Sequence, residues 1–115
     1  MLILTTPEAI RHAVGQYTAS LPIQALERYA ALIETEPIAW VFIIQPGDRC
    51  SDLEAVRARP FSAFEFIDSD GAWFEAVFII NDDGFGHIVL IPDQPQIDQN
   101  LLAACRHALA EGNAL

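Results

Sequence analysis

Apolar residues recur along this 115-residue chain with two periods, and the switches between them divide it into eight elements. Ile10, Val14 and Tyr17 fall at helical spacing behind Thr6-Pro7-Glu8. A threonine cap, a proline at the first helical position and an acid in the first turn start a helix there, from about Pro7 to Tyr17. Ser20 opens a second helix bearing Ile23, Leu26, Tyr29, Ala30 and Ile33, which must stop before Pro37. Ile38 to Ile44 is β-branched and aromatic and ends at Pro46-Gly47, so it reads as a strand buried on both faces. Ser51-Asp52-Leu53-Glu54 matches a capping box and predicts a short third helix ending before Pro60.

From Phe61 the period falls to two. Phe61 to Ile67, Ala72 to Ile80 and Gly86 to Ile91 read as a three-stranded meander joined at Ser69-Asp70-Gly71 and Asp82-Asp83-Gly84. Each join suits a three-residue hairpin with glycine at the left-handed position. The first loop would pair Asp68 with Ala72 and set Glu65 opposite Glu75. The second would set Glu75 opposite Ile91 and His87 opposite Ile79. Asp98 caps a final helix, Ile97 can staple onto Leu102, and Gly112 lies past its end. The order α-α-β-α-β-β-β-α predicts one α+β domain over residues 1–115, with a small antiparallel sheet of the meander plus one strand. Phe74, Phe78 and Ile80 point to one face of the middle strand, and Trp73, Val77 and Ile79 to the other. Helices must cover both faces, or a second copy must cover one; a homodimer burying at least about 1,000 Å² is expected.

Composition narrows the function. The net charge is −10, every cation is Arg, and Lys is absent. Nucleic acid and anionic membrane surfaces both require clustered cations, so neither is an expected partner. The short apolar start, Met1 to Leu4, lacks a basic flank, and the longest apolar run is far below the roughly 20 residues of a membrane span. With two cysteines and no CxxC, a cytoplasmic protein with reduced thiols is expected. The acidic excess is local. Residues 61–98 carry Glu65, Asp68, Asp70, Glu75, Asp82, Asp83, Asp93 and Asp98 with no cation among them. Turns favour Asp individually, but the lack of interspersed Arg is more than turn chemistry requires.

Catalytic motifs are missing: the chain holds no P-loop, GxGxxG, GxSxG or HExxH. His12, His87 and His107 lie on separate elements, and Cys105 and His107 face different sides of one helix, so no metal site is expected. Asp68-Ser69-Asp70-Gly71 lacks the glycine and acid spacing of a calcium loop. Cys50, at a strand-to-helix junction beside Arg49, could carry a lowered thiol pKa but has no assigned base. Trp40, Trp73 and the seven Phe belong to the core. The expected function is non-catalytic, with no cofactor: binding of a protein partner, basic in character, through Glu65, Asp68, Asp70, Glu75, Asp82, Asp83 and Asp93. A neutralising inhibitor of the immunity or antirestriction type is one concrete form. The alternatives are a small hydrolase or thiol enzyme using Cys50 or the Glu65/Glu75 carboxylates, and a structural subunit of a larger complex.

Overall fold

The computed structural model describes residues 1–35, 40–57, 66–79 and 86–111. The elements are β1 (Leu2–Leu4), α1 (Pro7–Val14), α2 (Ser20–Thr35), β2 (Val41–Ile43), α3 (Cys50–Arg57), β3 (Phe66–Ser69), β4 (Trp73–Ile79), β5 (Gly86–Pro92) and α4 (Gln99–Ala110). The class is α+β, and the eight expected elements occur in the expected order. The chain adds an edge strand, β1, from the apolar start. The sheet order is β1-β2-β5-β4-β3. It is mixed, because β2 runs parallel to β5 while the other neighbours are antiparallel.

Local chemistry starts the helices. The Thr6 hydroxyl accepts from the Ala9 amide at 3.2 Å, with Pro7 in the first turn. α1 ends at Val14, three residues short of the expected Tyr17. α3 begins at Cys50, one residue before the expected capping box. Asp52 accepts from the Arg49 amide at 2.9 Å, and Asp98 accepts from the Cys50 amide at 3.1 Å. Asp98 also caps α4, accepting from the Asn100 amide at 2.8 Å. One carboxylate therefore serves two helix starts. Burial works upward on its pKa, but the Cys50 and Asn100 amides and the Cys50 thiol hold it below the ordinary 3.8. Asp98→Ala should cost about 1–2 kcal/mol at neutral pH, as a lost cap does. Stability from a depressed carboxylate is present above the ordinary pKa and is lost as pH falls through the folded value. The gap between wild type and variant in thermal melts should therefore close below about pH 3.8.

Both faces of the sheet are covered from within the chain. Phe42, Ile44, Phe74, Ala76, Phe78, Val89 and Ile91 pack with Leu53 of α3 and with Leu101, Leu102 and Cys105 of α4. Val41, Ile43, Ile88 and Leu90 pack against Ile10, Ala13, Leu26, Ala30 and Ile33 of α1 and α2. The homodimer expectation rested on a leftover apolar face, and the described sheet has none. Val41, Phe42 and Ile43 are buried, as a doubly covered strand requires.

Both hairpin registers differ from expectation. Asp68 pairs with Glu75 and Ile67 with Ala76, a shift of three residues. The turn tightens because Asp70 accepts from the amides of Ala72 and Trp73, both at 2.9 Å, while the Asp70 amide donates to the Trp73 carbonyl. Gly71 supplies positive φ, +90°, at the first position of the tighter loop. Glu75 therefore faces Asp68 and not Glu65. On the other side Glu75 pairs with Leu90 and Phe78 with His87, one residue from expectation. That shift sets Phe74 beside Ile91 and Ala76 beside Val89, matching apolar faces across the pair.

Candidate functional site

A cleft of about 190 Å³ lies between α2 and the β3–β4 hairpin. Ser20, Gln24 and Arg28 line one wall, and Asp68, Ser69, Asp70 and Glu75 the other. The helical wall follows from spacing, since residues four apart share one face of a helix. The hairpin wall follows from register, since cross-strand partners Asp68 and Glu75 lie on one face.

Glu75 is the buried polar residue of the described chain, 7% exposed. Its carboxylate accepts a hydrogen bond from the Arg28 guanidinium, which itself is largely exposed. Arg28 also lies 5.8 Å from the centre of the Tyr29 ring. Burial raises the Glu75 pKa above its ordinary 4.5; Arg28 opposes this and Asp68 reinforces it. Burial, then the Glu75 charge, likewise raises Tyr29. Because the folded chain holds the Glu75 proton more tightly than the unfolded chain, this group's contribution to stability declines as pH rises above 4.5. Glu75→Gln removes the titration and retains an acceptor for Arg28. Its melting temperature should exceed that of wild type at pH 7, with the difference vanishing below about pH 4.5. A variant less stable than wild type at neutral pH would mean that the Arg28 pair outweighs desolvation.

The expected acidic surface divides in two. Glu75 is paired with Arg28, and Asp93 with Arg106 at 2.6 Å. Asp68 and Asp70 are exposed, and among the described residues no cation bridges either. Asp70 is held ionised chiefly by the Ala72 amide, which lowers its pKa. Glu65, Asp82 and Asp83 lie outside the described residues. Arg11, which could have screened the turns, pairs instead with Glu34. Sequence reasoning missed Arg28, Gln24 and Ser20. Their signal was present as a polar stripe at four-residue spacing beside the apolar face of the second helix.

Cys50 sits elsewhere. It packs against the α3/α4 side of the sheet, whereas Glu75 faces α2, so thiol and carboxylate share no site. Cys105 is fully buried on that same side, and burial pushes its thiol up to about 12. His12, His87 and His107 are on α1, β5 and α4. Among the described residues no group of three or more His, Cys, Asp or Glu could hold a metal ion. No helix among them is long and apolar enough to cross a membrane. No protein family, curated protein or solved structure matches the chain.

Proposed function

We propose that this chain is a non-catalytic binding protein that engages a basic protein partner through the acidic rim of the α2/hairpin cleft. The observation that carries this reading is the division of the carboxylates. Arg28 and Arg106 neutralise Glu75 and Asp93 within the fold, while Asp68 and Asp70 face solvent with no described cation across from them. A hydrolase reading of the carboxylates is less well supported, because the buried Glu75 is already covered by Arg28.

The test is the affinity of an arginine-rich peptide for wild type and for Asp68→Asn, Asp70→Asn and Asp93→Asn, at low and high salt. Asp68→Asn and Asp70→Asn should each weaken binding about two- to fivefold, as expected for an exposed charge, and salt should weaken it for wild type. Asp93→Asn removes the same charge at a site already paired and should change little. Three equal losses would mean that net charge alone attracts the peptide, and the proposed surface would fail.

A further inference from the structure

The Ile88 amide donates to the Trp40 carbonyl at 3.0 Å, and the Ile44 amide to the Leu90 carbonyl at 2.9 Å. Trp40 and Ile44 thus turn backbone groups toward β5, and alternation along β2 turns those of Val41 and Ile43 toward β1. Leu4 and Leu2 are their partners, so the amide and carbonyl of Ile3, between them, point away from the sheet. Ile3 is 43% exposed, the most open of the large apolar residues described, and these two groups make no described hydrogen bond. Its side chain lies opposite Phe42, whose ring is 6.2 Å from that of Trp40. Trp40 is 39% exposed, so two open apolar side chains are diagonal neighbours at one corner of the sheet. We propose that this edge pairs with the same edge of a second copy, β1 antiparallel to β1 about a two-fold axis at Ile3, joining two five-stranded sheets into one.

Symmetry and charge select the occupant. A residue on the axis faces its own counterpart, so a charge there would repel itself, whereas a β-branched pair is favourable. Residues 1–6 include no Asp, Glu or Arg, although the chain carries −10. A strand edge left single is ordinarily guarded by a charge, a proline or a bulge, and Leu2–Leu4, in continuous register with β2, has none of these. β3, at the opposite end of the sheet, differs: it carries Asp68, with Asp70 just beyond, and pairing with its own copy would bring these acids together. An isologous pair of edges closes on itself and stops at two copies. The homodimer expected from the sequence thus needs no leftover face, because the outward amide and carbonyl of Ile3 bond their counterparts. The α2/hairpin clefts then lie at the two far ends of the joined sheet, with both acidic rims accessible.

Sedimentation equilibrium from micromolar to millimolar protein, in salt that screens the net charge, should show a monomer–dimer equilibrium. Amide exchange at Ile3 should slow as the dimer fills, because that amide gains its partner only across the two-fold. Ile3→Pro removes the outward N–H without breaking a bond to β2, a substitution that edge strands accept. It should weaken dimerisation about ten- to a hundredfold, the loss of two interchain hydrogen bonds. Ile3→Lys sets like charges together on the axis and should also weaken it. Leu109→Lys makes the same change at a similarly exposed residue of α4 and should leave the equilibrium unchanged. A monomer at every concentration overturns the proposal. So does a dimer that leaves Ile3 exchange unaltered, or one that Ile3→Lys and Leu109→Lys weaken equally. The acidic-surface reading stands under each of these outcomes.

Discussion

Phe42→Ala is expected to cost about 3–5 kcal/mol, the range for emptying an aromatic position in a packed core. β2 runs between β1 and β5, and Phe42 is completely buried on the α3/α4 face. Its ring meets His87 edge-on at 5.3 Å and lies 6.2 Å from Trp40, so truncation leaves a cavity against rings held by the strand backbone. Domains of this size have a net stability of roughly 5–15 kcal/mol, so this single change removes a large share. Urea denaturation measures it directly. Phe42→Leu keeps most of the volume and should cost clearly less, below about 1.5 kcal/mol if the neighbours repack. Equal losses for the two variants would show that the site does not depend on filling volume.

Gly86→Ala should destabilise by about 2–3 kcal/mol, although it adds one methyl group. A Cβ at this position would lie 2.5 Å from the Phe78 carbonyl oxygen and 3.0 Å from a Val77 methyl. The nearest obstacle is backbone, so the β4–β5 pair must separate near its Ile79–Gly86 end. The same change at Gly71 meets open space, and its cost comes only from the positive φ, about 1–2 kcal/mol. Chemical denaturation would rank the two. Hydrogen exchange would separate their causes, because only Gly86→Ala should speed exchange at the Val89 amide, which alternation along β5 turns toward β4. A Gly86→Ala variant as stable as wild type would mean that the close backbone approach is not present.

The sequence by itself determined the features that depend on neighbours along the chain. Thr6 and Asp98 cap α1 and α4 because an N-cap is a contact across two or three residues. Residues 41–43 are buried because a β-branched and aromatic run permits little else. Which acids exceed the local supply of cations was also readable, since that is counting. Tertiary structure decided the rest. Leu2 to Leu4 becomes a strand only because β2 offers it an edge. β2 runs parallel to β5, a direction that no local pattern encodes. The β3–β4 register moved by three residues because Gly71 satisfies a left-handed turn in either register. The choice fell to the Asp70 side chain and to apolar matching across the sheet. That shift brought Asp68, in place of Glu65, opposite Glu75 and set both beside α2. Arg28 then neutralised Glu75 from 47 residues away, and Arg106 neutralised Asp93 across 13. The charge of the surface was thus set by composition, and which of its carboxylates remain open to a partner was set by helix docking.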